Sequence, residues 1–182
     1  MSMRHFALAS FWLNLATATA VAQADSTISV HGIGGVRLCQ PMSTVRDRFS
    51  LARDTVIESE GVKWPAKVVP VGGGHQILFE ASWIDTTHVW RIGTNSAGYR
   101  TRHGYRVGMT LGDVRARGEK LRFGYAEGYI VITLLSDQVE ALPDDSTARA
   151  FLSRSPRAFD SLEALPGSAR IKDLGVGADC RH

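Results

Sequence analysis

Gly104-Tyr105-Arg106-Val107-Gly108-Met109-Thr110-Leu111-Gly112-Asp113-Val114-Arg115-Ala116-Arg117 lies 69 residues after Gly35-Val36-Arg37-Leu38-Cys39-Gln40-Pro41-Met42-Ser43-Thr44-Val45-Arg46-Asp47-Arg48, and the two align without a gap. Positions 35/104, 37/106, 45/114, 46/115 and 48/117 are identical, and Leu38/Val107 and Met42/Leu111 keep apolar character. Each copy reads as a short extended segment leading into a two-turn helix. In the second copy Thr110 stands three residues before Asp113, the spacing at which a hydroxyl caps the exposed amides of a first turn. Leu111 and Val114 share a helical face, and Gly118 stops the helix. In the first copy Pro41 takes the cap position, and Met42, Val45 and Phe49 form the apolar stripe. Isolated helices this short do not hold, so each must bury its stripe on a sheet. A fixed-offset match in the same local setting predicts a duplication.

The chain after each helix reads as antiparallel strand. From His75 to Trp83, Ile77, Phe79, Ala81 and Trp83 alternate with Gln76, Glu80 and Ser82, the pattern of a half-buried strand with Trp83 in the core. Val68–Val71 precedes it, ended by Gly72-Gly73-Gly74. Asp85-Thr86 turns into Thr87–Ile92, where Trp90 and Ile92 share a face. Leu121–Tyr125, a turn at Glu127-Gly128 and Tyr129–Leu135 make a hairpin, with Val139–Leu142 as the next strand. After Pro143, Thr147–Leu152 and Arg157–Leu165 read as helix, and Ile171–Val176 as a last strand. The predicted fold is α+β, with two tandem repeated lobes at 25–99 and 100–182. Each is a short helix packed on an antiparallel sheet, and the second carries a helical insertion at about 145–165.

Residues 1–24 read as a secretory signal peptide: Arg4, the apolar run Phe6–Leu15, and overlapping small-residue sites at Ala20-Val21-Ala22 and Ala22-Gln23-Ala24. The apolar run is too short for a membrane span, and no later stretch approaches the roughly 20 apolar residues one requires. Cleavage after Ala24 leaves 20 basic against 18 acidic residues. The basic residues are scattered, with no block of the kind that tracks a nucleic-acid backbone. The two cysteines, Cys39 and Cys180, read as a bridged pair in the oxidising compartment to which export leads, a periplasmic or secreted one. Closing so long a loop stabilises by roughly 4–5 kcal/mol in the chain-entropy model. The competing reading is a reactive thiol, which lacks a neighbouring His or Cys in sequence.

The segments Gly32-Ile33-Gly34-Gly35-Val36-Arg37-Leu38 and Arg106 to Arg115, with the terminal Cys180, resemble a group of uncharacterised exported bacterial proteins. These carry a GIGPVRIGM segment, then a GIRVGMTLAEVR segment, and end near a cysteine. The resemblance covers about a third of the chain and implies an envelope location. More remotely, the repeated helix-then-sheet unit is similar to the β-lactamase inhibitor protein and to the SmpA/OmlA outer-membrane lipoproteins. That similarity is of fold alone, and it implies protein–protein binding by an exposed sheet rather than catalysis. Cys39 and Gln40 stand where the exported group has Gly-Met, a departure that leaves the turn geometry there open and puts a thiol where a bridge to Cys180 could form.

Few residues suggest chemistry. Gly32-Ile33-Gly34-Gly35 lacks the third glycine of a dinucleotide fingerprint, because Arg37 holds its place. Gly72-Gly73-Gly74-His75 has no G-x-S-x-G partner and reads as a hairpin loop. His31, His75, His88, His103 and His182 show no metal-ligand spacing. The enzymatic alternative is a hydrolase or metalloenzyme in which His75 and His88 approach across a hairpin with Glu80 or Asp85 nearby. No catalytic residue, metal or cofactor is assigned. Trp64, Trp83 and Trp90 lie within 27 residues of one another. Trp64 and Trp90, flanked by Arg91, Tyr99 and Tyr105, suit a binding surface. The expectation is a non-enzymatic periplasmic or envelope module whose partner is another envelope protein or peptide.

N-terminal sequencing of the exported protein is expected to begin at Asp25, or at Gln23 if the first small-residue site is cut. A mature chain that retains Phe6–Leu15 would contradict cleavage and leave the segment as an uncleaved anchor.

Overall fold

The computed structural model describes residues 26–59, 61–126, 128–154, 158–178 and 180. The signal-peptide segment lies outside them, as do Glu127 and Arg157. The fold is α+β. Among the described residues twelve strands run in order β1 (Thr27–Ser29), β2 (Gly32–Ile33), β3 (Val36–Arg37), β4 (Arg53–Ser59), β5 (Val62–Gly72), β6 (His75–Ala81), β7 (Val89–Thr94), β8 (Arg100–Thr101), β9 (Leu121–Ala126), β10 (Tyr129–Leu134), β11 (Val139–Pro143) and β12 (Ile171–Gly177). Helix α1 (Ser43–Arg48) precedes β4, α2 (Leu111–Ala116) precedes β9, and α3 (Asp145–Leu152) and a kinked 3-10 segment (Ala158–Ala164) separate β11 from β12. A small sheet has the order β3-β2-β1-β8. The main sheet has eight strands in the order β4-β5-β6-β7-β12-β11-β10-β9, every neighbouring pair antiparallel.

The sheet order arises from two meanders, β4 to β7 and β9 to β12, joined through their last strands. At the join Leu174 opposes Thr94, Gly175 opposes Gly93 and Val176 opposes Ile92. Paired residues of antiparallel neighbours point to the same side. One side is therefore apolar: Ile77, Phe79, Ile92, Leu174, Ala141, Ile132 and Leu134 are all fully buried there. Val45 of α1, Leu111 and Val114 of α2, and Ile28, Ile33 and Val36 of the small sheet belong to the same continuous cluster. The two helices thus gain their stability by burying short apolar faces in one shared core.

The anticipated capping box is present at α2. The Thr110 hydroxyl accepts from the Asp113 amide, and the Asp113 carboxylate accepts from the Thr110 amide, each at 3.1 Å. The first helix has no side-chain cap. Its N-cap is Met42 rather than Pro41, and the Met42 amide donates to Thr87 O at 2.8 Å instead. The segments leading into both helices are held by one hydrogen-bond scheme. Cys39 N donates to Val89 O, Val89 N to Gln40 O and Met42 N to Thr87 O; Gly108 N donates to Ile171 O, Ile171 N to Met109 O and Leu111 N to Ala169 O. The helical ends of these bonds are offset by 69 residues and the strand ends by 82. The extra length is taken up by α3 and the 3-10 segment. There Asp144 caps α3 through the Thr147 amide and also accepts from the Arg170 amide at 3.0 Å, fixing the entry to β12. Although burial pushes the Asp144 carboxyl up, the Ser146 hydroxyl and these two amides hold it far below the usual range.

A disulfide joins Cys39 to Cys180, with their Cα atoms 5.4 Å apart across a sequence separation of 141. Several sequence expectations need correction. The strand anticipated at Val68–Val71 is the end of an eleven-residue strand, β5, and β4 was not anticipated. The β6 alternation stops at Ala81, where the register with β7 shifts. Trp83 therefore stands outside the sheet, 66% exposed, rather than in the core. The same shift separates Trp90 from Ile92, which alone of the two enters the core.

Val45→Asp and Val114→Asp would each bury an unpaired carboxylate, at a cost of at least about 3 kcal/mol. Both variants are expected to unfold early in denaturant titrations. Wild-type stability in either would show that its helix is not held by the core.

Candidate functional site

The second face of the main sheet faces away from the helices and forms a groove of about 1290 Å3, to which no residue of α1, α2 or α3 contributes. Its floor lies over the β7–β12 join, where Gly93, Gly175 and Gly177 leave the backbone bare. At Gly175 a Cβ would approach Ile92 O at 3.2 Å, so packing accounts for that glycine. At Gly93 and Gly177 the nearest atoms would be 3.7 Å away, an ordinary contact. Neither has a positive φ. Packing does not demand glycine at these two positions, and what they provide is an open floor.

Register places the walls. Ile57 of β4 opposes Trp64 of β5, Val68 opposes Leu78 of β6, and Glu80 opposes Arg91 of β7. Trp64 Nε1 donates to Glu80 Oε2 at 3.1 Å, and this explains how Glu80 is only 7% exposed on a face open to solvent. Across the floor, Glu140 opposes Gly175 and Leu142 opposes Asp173. Burial pushes the Asp173 carboxyl up. Lys172, 3.8 Å away, works against this, Asp145 adds to it, and Arg91 opposes it from across the join. Tyr129 and Arg122 line the far wall.

One end is closed by the loop between β6 and β7, which presents Trp83 and Ile84, both more than half exposed. The loop is built around polar side chains. The Ser82 hydroxyl accepts from the amides of Ile84 and Asp85. Hydrogen bonds from the Thr87 hydroxyl and amide, and then from His88, hold the Asp85 carboxyl down at about 2. Such a loop keeps two large apolar side chains in water at a fixed place.

Of the residues anticipated for binding, Trp64, Trp90 and Arg91 line this groove. Tyr99 and Tyr105 do not: at 8% and 3% exposure they belong to the core on the other side. Sequence reasoning missed Trp83, Tyr129, Asp173 and the glycine floor, although glycines inside strands were an available signal. His75 and His88 do not approach each other across the hairpin. His75 begins β6 and His88 lies beyond its other end, so the two stand about 20 Å apart at the rise of a strand. Among the described residues no group of three or more His, Cys, Asp and Glu side chains is placed to hold a metal ion.

No protein-family model matches the chain, and no curated protein matches it. The fold is similar to that of the uncharacterized protein yfeY from Escherichia coli, with a TM-score of 0.59 and 14% identity over 84% of this chain and 99% of the other. At that identity the likeness is one of fold.

Trp64→Phe would strip the Glu80 carboxylate of its indole donor while it stays buried. The expected loss of stability is about 1.5–3 kcal/mol, with a smaller loss for the double variant Trp64→Phe/Glu80→Leu. Equal losses in denaturant melts would show that the hydrogen bond does not hold the wall.

Proposed function

We propose that this chain is a non-catalytic binding module of the periplasm or cell exterior, whose open sheet face docks an extended, positively charged segment of another envelope protein. The charge of the groove carries this reading. Glu58, Glu80, Asp85, Glu140 and Asp173 line it against Arg91 and Arg122, although the whole chain has a net charge of +3. An acidic trough steers cationic partners toward it and disfavours anionic ones. Trp64, Trp83, Trp90 and Tyr129 add flat faces on which a Lys or Arg side chain gains cation–π attraction. The bare backbone at Gly93 and Gly177 gives an extended chain room to approach closely.

The disulfide and the export signal support the compartment, since bridges persist where the surroundings are oxidising. Among the described residues no helix is long and apolar enough to cross a membrane. The shared hydrogen-bond scheme at the two helices supports an origin by duplication, with lobes 25–99 and 100–182. Joined through their last strands, the two meanders make one face wider than either offers alone.

After residue 24 the tryptophans of the chain are Trp64, Trp83 and Trp90, all on the groove, so intrinsic fluorescence reports on it. A short oligolysine peptide is expected to shift the emission saturably at low salt, and oligoglutamate is not. Gly93→Leu fills the floor without backbone strain and is expected to weaken oligolysine binding about tenfold at unchanged melting temperature. The proposal fails if oligolysine leaves the emission unchanged, or binds Gly93→Leu as it binds the wild type.

A further inference from the structure

A second site, distant in character from the groove, is built from arginines. Where β8 runs into the second repeat segment, Arg100, Gly104, Arg106 and Arg117 surround a pocket of about 600 Å3 with Met109, Asp113 and Ala116. Arg100 and Arg106 are direct antiparallel bridge partners. Like charges set opposite each other in this way are destabilising. Arg117 closes the third side, its guanidinium placed so that a Cβ on Gly104 would lie 3.7 Å from Nη1.

Some of the other arginines have an acceptor, whereas Arg37, Arg53, Arg91, Arg102, Arg122, Arg149 and Arg154 show no side-chain acceptor among the described residues. Arg46 pairs with Asp54, Arg115 donates to the carbonyls of Glu163 and Leu165, and Arg170 donates to Gly108 O. Among the described residues the side chains of Arg100, Arg106 and Arg117 make neither an ion pair nor a hydrogen bond. The carboxylate in the pocket, Asp113, accepts from the Thr110 amide and hydroxyl at 3.1 and 2.7 Å and is thereby committed to capping α2. Three guanidinium charges against one carboxylate leave the pocket with two positive charges.

In the first repeat one of the two matching arginines is tied to the backbone, and Arg37 makes no side-chain hydrogen bond or ion pair among the described residues. Gly35, Arg37 and Arg48 are the counterparts of Gly104, Arg106 and Arg117. There Arg48 Nε donates to Gly34 O at 3.1 Å, and the position matching Arg100 is His31. Arg48 is tied to the backbone in the first half, and its counterpart Arg117 is left open in the second.

We propose that the pocket between Arg100, Arg106 and Arg117 binds a phosphate group. A phosphate dianion matches the two uncompensated charges, and each guanidinium offers it a planar pair of donors. It would also screen the Arg100–Arg106 repulsion. The phosphate comes from a free anion or from a lipid headgroup, and one experiment separates these sources.

Inorganic phosphate is titrated into the purified protein at low salt, with binding read by calorimetry. In parallel, sedimentation is measured with vesicles of phosphatidylglycerol in phosphatidylcholine. Arg100→Gln and Arg117→Gln are the test variants. Arg122→Gln, on the opposite sheet face, is the control for an equal change in net charge. Saturable binding that falls at least about tenfold in the test variants and less than about twofold in the control is expected. If this occurs with phosphate, the ligand is a soluble anion; if it occurs with vesicles alone, it is a lipid headgroup. The proposal is overturned if neither probe binds saturably, or if the control weakens binding as much as the test variants. Exposed arginines are not needed for folding, so the melting temperature is expected to move by no more than about 2 °C in each variant.

Discussion

The antiparallel pairing of β7 with β12 governs the rest of this molecule. Each meander would otherwise end in a strand with free amide and carbonyl groups, a liability in water and an invitation to aggregation. Pairing the two removes both edges at once and makes one sheet of eight strands. It aligns the apolar sides of the two halves, so that Ile92 and Val176 face each other beneath helices contributed by both. It also sets the acidic walls of the two halves on either side of a glycine floor. Neither a single core nor a continuous groove would exist without it.

The same pairing explains the position of the disulfide. Cys39 donates its amide to Val89 O at the start of β7, and Cys180 lies just past the end of β12. The bridge therefore ties the segment entering the first helix to the chain leaving the last strand, on the same side of the join. It closes a loop that contains most of the protein, which is where a cross-link restricts the unfolded chain most.

The legible parts of this fold were local. Thr110 and Asp113 announce their helix because a capping box needs only four consecutive residues. Ile77, Phe79 and Ala81 announce β6 because alternation is read within one strand. The illegible parts depend on neighbours far away in sequence. Glu80 looks like a solvated residue until Trp64 arrives from the next strand to bond it. Trp83 continues the β6 alternation on paper, but the register shift after Glu80 ends the strand before it. Strand β4 carries Arg53, Asp54, Thr55 and Glu58, as an outer strand with little to bury does, so hydropathy conceals it. The candidate groove was half visible: its tryptophans drew notice, whereas the acids and glycines gain meaning only when β7 and β12 meet. Tyr99 and Tyr105 look like surface aromatics in sequence because nothing local shows that the small sheet folds them inward.

The bridge also determines how the protein bears load. A pull applied through the chain before Cys39 and after Cys180 passes directly across the sulfur–sulfur link, and the residues between them feel no tension. The described chain could lengthen only by straightening residues 26–39, about 45 Å at the reach of an extended backbone, against roughly 500 Å if the link were absent. Oxidised, the molecule is nearly inextensible between its two ends. Reduced, it becomes a tether that releases its whole length once the sheet gives way.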